Sequence, residues 1–396
     1  MVVKRYFYIQ QLSFFLCGID SKATKPEHVV TRPVLCYVPL LFAICHVVAI
    51  IHYAFVNRND YVEVTDSLAL SCQSLLAIWK MIIFLCKRMS FIEMIREVQL
   101  GNLKAARLEL PMIRSENTRD VKFCTIYFTV VSIAAILAFS NPIIEAVYIY
   151  VSTGELVLRV PYKASYFWSH TKIPGYSLVY FWNMLSIYNL FGITMAIDTL
   201  FTWLVSNISA QFHILCFRFK DTANAFDVKT SGNGYESLKF MKSIKSCIKY
   251  HNETLKLAEK LNQVYGEIIF IKFIISCTEI CCLVFRLSRP SESLAVAAYQ
   301  GLFLVTVAMQ LILYCYNGQR IRDESLQVAP EIYFAFDWSQ LPKSCKNLLL
   351  IPIMRSQKES QLKGVFFVVD LTLYLWVFKT AGSLIAALKT LDENRV

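Results

Sequence analysis

Charge is scarce in this chain. Only 17% of its 396 residues are Asp, Glu, Lys or Arg, whereas 56% are hydrophobic and the mean hydropathy is +0.46. Soluble domains carry about 25% charged and about 45–50% apolar residues, so the balance leans toward a membrane. Enzyme signatures are missing as well: there is no G-x-S-x-G, H-E-x-x-H, P-loop or C-x-x-C. Without the nucleophile, metal ligands or phosphate cradle that these spacings provide, no catalytic site, metal or cofactor is expected. The six histidines are scattered without ligand spacing, and Cys277, Cys281 and Cys282 sit in an apolar stretch with no His close in sequence and Glu279 as the one carboxylate among them. Those thiols read as small hydrophobes rather than a metal cluster. No alternating ten-residue pattern supports a β-barrel, and there is neither an internal repeat nor a low-complexity tract. A cleavable leader is not indicated, because Gln10 and Gln11 interrupt the apolar run that follows Lys4 and Arg5.

Long apolar blocks are what the chain does have. Seven segments suffice to cross a hydrocarbon core of about 30 Å, which takes roughly 20 helical residues. They fall near Val34–Val56, Glu63–Cys86, Phe123–Ser140, Tyr176–Leu215, Gly266–Phe285, Ala295–Cys315 and Gly364–Leu388. The expected fold is therefore an all-α membrane protein with seven transmembrane helices. The fourth segment is too long for one crossing, so its C-terminal half is expected to project into the cytosol, and Tyr250 to Tyr265 has helical spacing that extends the fifth span the same way. Residues 227–235, with Gly232, Asn233 and Gly234, read as the most flexible loop.

Orientation follows from the basic residues. With the N-terminus inside, 29 of the 40 Lys and Arg fall in inner segments and only 8 in outer ones. That bias places the N-terminus in the cytosol and the C-terminus outside. It also accounts for the net charge of +11, since basic loops face an anionic leaflet and no nucleic acid need be invoked. The sequons Asn207-Ile-Ser209 and Asn252-Glu-Thr254 both lie on the inner side, where no glycan is added. None of the 13 cysteines lies in an outer segment, including the long one from Asn141 to Gly175. The chain divides into a cytosolic arm with an amphipathic, membrane-grazing start (1–33), the first six spans with their cytosolic extensions (34–315), a cytosolic segment (316–363), and the last helix with an extracellular end (364–396).

Ionisable residues within spans are candidates for function, because burying charge in lipid is costly. Lys80 and Lys272 lie within about two turns of the inner boundary and read as snorkelling side chains. Asp198 and Glu279 are deeper, suited either to hydrogen bonds between helices or to ligand or ion contact. Asp370 and Lys379 stand on the last helix.

The C-terminal third carries a family resemblance. Tyr314-Cys315-Tyr316-Asn317-Gly318, Glu324-Ser325, Tyr333, Trp338 through Leu341-Pro342, Leu348-Leu349-Leu350, Arg355-Ser356-Gln357-Lys358, Leu362-Lys363-Gly364 and Phe378-Lys379-Thr380-Ala381-Gly382-Ser383 occur in that order. Together they resemble the insect odorant receptor signature. Weaker likeness covers Asp198–Leu215 and His251–Cys281. Glu359 departs from a common Pro, and the aromatic usual in the 379–383 stretch is missing. The resemblance implies a tetrameric, ligand-gated, non-selective cation channel of the plasma membrane, in dendrites of olfactory neurons. It further implies a cytosolic anchor built by the ends of helices four to seven, a pore lined by the last helix, and a binding site for small volatile ligands in the outer half of the bundle. The family divides into one shared co-receptor with a long second inner loop and many tuning subunits. The short 216–265 segment suggests a tuning subunit that assembles with the co-receptor.

A volatile ligand needs an apolar, aromatic-walled site with a few polar groups. Ser132, Ala135 and Phe139 share one face of the third span, Met184 and Tyr188 a face of the fourth, and Tyr299 and Phe303 a face of the sixth. Ser71 offers a hydroxyl from the second. For the pore, Asp370 at the inner end is expected to concentrate cations, with Ser383, Ala386 and Ala387 near the outer mouth and Lys379 turned into the bundle. A gustatory-type homomeric channel is the nearest alternative. A G-protein-coupled receptor fits less well, given the inverted topology and the missing outer cysteines, and a transporter lacks its paired broken helices.

Overall fold

The structure is a computed structural model that describes residues 7–16, 33–155, 157–166, 172–225, 234–288 and 294–393. The helices are α1 (Tyr8–Leu16), α2 (Pro33–Val56), α3 (Tyr61–Cys86), α4 (Arg88–Lys104), α5 (Leu110–Thr153), α6 (Ile173–Asn224), α7 (Gly234–Leu287), α8 (Leu294–Ala335), α9 (Lys343–Ser356) and α10 (Leu371–Glu393). A two-stranded hairpin, β1 (Lys363–Gly364) and β2 (Phe367–Val368), precedes α10. Among the described residues, six helices (α2, α3 and α5 to α8) are long and apolar enough to cross a membrane. The seventh expected segment corresponds to α10.

The bundle is organised around α6. Every residue from Gly192 to Ala210 is buried, and α6 packs against α1, α2, α3, α5, α7 and α8. A helix surrounded by protein on all sides has no lipid-facing stripe, so it can carry Thr194, Asp198, Thr199, Thr202, Ser206 and Asn207 inside an otherwise apolar span. Peripheral helices show the opposite pattern. Ile133, Ile136, Ile143, Ile144 and Val147 on α5, with Leu41, Val48 and Phe55 on α2, are exposed apolar side chains. Their backbone hydrogen bonds are closed within the helix, which suits them to hydrocarbon.

The structure departs from expectation at the third span, at the last helix and at the N-terminal arm. The third span does not stop at Ser140. It runs on to Thr153, because Pro142 forfeits one backbone bond without ending the helix. Gly154, at φ 75°, then terminates it by donating its N–H to Tyr150 O. The last helix starts at Leu371 rather than Gly364, since residues 363–368 pair as a hairpin and Asp370 caps the helix by accepting from Leu373 N at 2.9 Å. Thirdly, the buried face of α1 docks on protein: Phe7 packs edge-on to Trp203 at 4.6 Å, and Gln10 donates to Thr199 O at 3.2 Å. Tyr8 and Leu12 remain exposed on its other face. Of the expected loop at residues 227–235, Gly234 and Tyr235 open α7 instead, and the rest lies outside the described residues, as does most of the 1–33 arm.

Candidate functional site

At the end of the bundle where α5 meets the α5–α6 connection, a small hydrophobic cluster stands apart from the main core. It consists of Ala138, Tyr162 and Ile187, flanked by Leu70, Ala135, Phe139 and Tyr299. Three of the eight expected ligand residues, Ala135, Phe139 and Tyr299, thus converge from α5 and α8. Phe303 joins through Tyr299, their rings stacked at 6.1 Å, and leads into the main core. Ser132 is half-buried one turn before Ala135. Ser71 is buried next to Leu70, but successive residues point about 100° apart around a helix, so it borders the cluster. Met184 and Tyr188 are each 46% exposed on the outward side of α6. The neighbouring face, with Asn183, Ser186 and Ile187, is the one turned inward. Asn183 within an apolar span was the available signal for that rotation. Tyr162 and Tyr166 lie in a loop, where no periodicity announces burial.

That loop is pinned from several sides. Ser165 N donates to Ala49 O at 3.0 Å, and His52 Nδ1 lies 2.8 Å from the Ser165 hydroxyl. Lys163 pairs with Glu63, Arg159 pairs with Glu145 at 3.0 Å, and Tyr176 donates to Arg159 O at 2.9 Å. Tyr166 donates to Asn183 Oδ1 at 2.9 Å. The connection is therefore folded down over the helix ends, with Tyr162 as the part that reaches inside.

Deeper in the bundle lies a charged centre. Lys80 Nζ is 2.6 Å from Asp198 Oδ1, and both side chains are fully buried. Asp198 also accepts from Tyr314 at 2.6 Å and Tyr127 at 3.0 Å, so α3, α5, α6 and α8 meet on one carboxylate. Lys272 is equally buried and donates to Gln310 on α8. Snorkelling is thus excluded for both lysines: each points into protein, where a partner stands, rather than toward the interface. Buried Glu279 on α7 completes the group, with no hydrogen-bond partner among the described residues. Asp198 takes the interhelical hydrogen-bonding role.

Below it, the C-terminal motif residues make close contacts. Arg320 pairs with Glu116 and donates to Ser206 at 3.1 Å; His213 bridges Glu324 at 2.5 Å and Glu116 at 3.6 Å. The backbone carbonyl of Val369 lies so close over Gly318 that a Cβ there would meet its oxygen at 2.1 Å. Ser325 accepts from Ser360 N, Asn262 accepts from Lys363 N, and Glu359 pairs with Arg322. In the helical extension outside the apolar spans, buried His251 lies 3.4 Å from Ser356 on α9. Burial, with Arg355 adding to it, pushes its imidazole down to about 4. Asp370 caps α10 and lies 3.5 Å from Arg322. Lys379, Ser383 and Ala386 are exposed. Lys379 and Ser383 are four residues apart and share a face, so Lys379 is not turned into the bundle while Ser383 faces out. The side chain of Ala387 lies outside the described ones.

A helical bundle with six long apolar helices, a buried charged centre and a separate aromatic cluster under a folded connection defines a polytopic membrane protein. The family model described as 7tm Odorant receptor matches residues 60–382, and the chain belongs to that family. Odorant receptor 45a of Drosophila melanogaster is 29% identical over 395 residues, covering 98% of this chain and 99% of the relative. Odorant receptor 82a of the same species is 25% identical, with 94% of each chain covered. The solved structure of the olfactory receptor OR5 from the insect Machilis hrabei, in complex with eugenol, has the same fold. Its TM-score is 0.79 at 15% identity, covering 98% of this chain and 97% of that one.

Proposed function

We propose that this chain is the tuning subunit of an odorant-gated, non-selective cation channel, which binds a small volatile ligand and opens together with a co-receptor subunit. The observation that carries the reading is the aromatic cluster of Ala135, Phe139, Tyr162 and Tyr299, set apart from the core in a chain of the odorant receptor family. The Machilis receptor of the same fold was solved with eugenol, a small volatile. A short connection between α6 and α7, with Asn224 and Gly234 as the facing helix ends, supports a tuning subunit over a co-receptor.

The N-terminus is cytosolic and the C-terminus extracellular in this reading. Residues 316–363 form the cytosolic anchor, and α10 lines the pore with Ser383, Ala386 and Ala387 toward its outer mouth. Lys379 shares the exposed face of Ser383, so in the assembly it meets a neighbouring subunit, lipid or the conduction path. The receptor resides in the plasma membrane of olfactory neuron dendrites. Ligand contacts come from Ala135, Phe139, Tyr299 and Phe303, with Ser132 and Ser71 at the border; Met184 and Tyr188 are outward and stand as the weakest members of the set.

Ala135→Trp tests the site. The indole fills space between Phe139 and Tyr162, and overfilling a packed site costs about 1–3 kcal/mol. Expressed with the co-receptor, the variant is expected to reach the cell surface and to lose its odour-evoked current by at least about tenfold in sensitivity. Unchanged sensitivity removes α5 from the site, and a robust current without any co-receptor points to a self-sufficient channel.

A further inference from the structure

The aromatic cluster is bordered by buried polar atoms that the protein leaves without partners. His46 on α2 is completely buried, and neither of its ring nitrogens has a hydrogen-bond partner among the described residues. Its ring meets that of Tyr162 edge-on, with centroids 5.9 Å apart. On α6, Asn183 and Ser186 are buried on the face that carries Ile187 of the cluster, and Asn183 Nδ2 and the Ser186 hydroxyl are likewise unpartnered. Only the carbonyl side of the Asn183 amide is used, by Tyr166.

Such a grouping is unusual for a region that merely fills space. Buried polar groups are nearly always hydrogen-bonded, and an apolar side chain would pack there at lower cost. An imidazole offers a donor and an acceptor when neutral, an amide offers donors, and a hydroxyl offers both. The aromatic walls supply shape and apolar contact. The unpartnered atoms supply a complementary hydrogen-bonding pole beside Tyr162 and Ile187.

We infer that the site selects small volatile ligands that carry an oxygen function, a hydroxyl or carbonyl, which His46 and Asn183 hydrogen-bond. This rests on the odour-binding reading above and sharpens it to a ligand class. A hydrocarbon of equal size leaves the imidazole and amide unpaired, and a site built around such groups rejects a ligand that cannot pair them.

Matched volatile pairs test it: 2-phenylethanol against propylbenzene, and benzaldehyde against styrene. They are applied to cells expressing the full chain with a co-receptor subunit, with surface protein quantified in parallel. The oxygenated member of each pair is expected to activate at concentrations at least about tenfold lower. His46→Phe and Asn183→Leu are each expected to narrow that gap by raising the concentration at which the oxygenated member activates, and His46→Gln, which keeps a donor and an acceptor, to preserve part of it. Equal sensitivity within each pair overturns the inference while leaving the receptor reading intact. So does an unchanged gap in Asn183→Leu together with whichever His46 variant reaches the surface. If neither class evokes current from surface-delivered receptor, the odour-binding reading at this cluster falls with it.

Discussion

At the scale of single residues, the Lys80–Asp198 pair is the most consequential contact. Two opposite charges at 2.6 Å, both without solvent exposure, are each held by the presence of the other. Removing one partner of such a pair typically costs about 3–5 kcal/mol, because the remaining charge stays buried and uncompensated. Lys80→Met is therefore expected to lower the thermal midpoint of the detergent-solubilised protein and its surface delivery. Asp198 keeps Tyr127 and Tyr314 as donors, which softens the loss without cancelling it. The double variant Lys80→Met with Asp198→Leu removes both charges and is expected to recover much of the midpoint, as apolar replacements of buried pairs often do. A Lys80→Met protein as stable as the parent shows that the pair does not brace the bundle. Sequence position alone suggested a lysine near the inner interface; only the packing of α6 against α3 shows where its ammonium goes.

At the scale of elements, the segment that leads from the hairpin into α10 explains why residue 318 is a glycine. Gly318 lies on the straight run of α8, where glycine is a poor helix former, yet the Val369 carbonyl occupies the space of its missing side chain. Gly318→Ala must push the hairpin off α8, and the hairpin leads directly into the Asp370 cap of α10. The expected result is a loss of stability of about 1–3 kcal/mol. Gly382 on α10 makes the control, because a Cβ there meets nothing within 4 Å. Gly382→Ala is expected to leave stability unchanged or raise it by up to about 1 kcal/mol, since alanine is the better helix former. Thermal unfolding of the two variants side by side checks the contrast, and equal behaviour means that the hairpin does not depend on close approach at Gly318.

At the scale of the whole molecule, the proposed orientation in a bilayer rests on the charged end of the bundle and the exposed apolar flanks of α2 and α5. Basic residues gather on α4 and the start of α5, along the first half of α7, and between Arg320 and Lys363, whereas the folded-down α5–α6 connection holds only Arg159, Lys163 and Lys172. In the proposed orientation, which the positive-inside bias supports, the aromatic cluster lies toward the outer face and His251 with α9 in the cytosol. Epitope tags at both termini, probed on unpermeabilised cells, are expected to stain at the C-terminus only. Staining at the N-terminus alone reverses the orientation and moves the proposed ligand site to the wrong side of the membrane.

Much of this architecture was legible in the sequence, because lipid removes water from the reckoning. Any crossing segment must close its own backbone hydrogen bonds, so length and apolarity locate the helices, and the family's C-terminal motif is a string of residue types that keep their order along the chain. Periodicity also found faces correctly where one side of a helix meets protein and the other lipid, as with Ala135 and Phe139 on α5. It failed on the first half of α6, where the outward face carries Phe181, Met184 and Tyr188 and is as apolar and aromatic as a ligand wall, while the inward face carries the polar Asn183 and Ser186 beside Ile187. Composition likewise cannot tell an ion-paired buried lysine from one that reaches for water, and a loop that folds inward, as Tyr162 does, leaves no repeat to read. The spans and the family are properties of short stretches and of composition, which the sequence determines by itself. The partners of Lys80, the face of α6, and the company that His46 keeps depend on residues distant in sequence, and only the tertiary structure decides them.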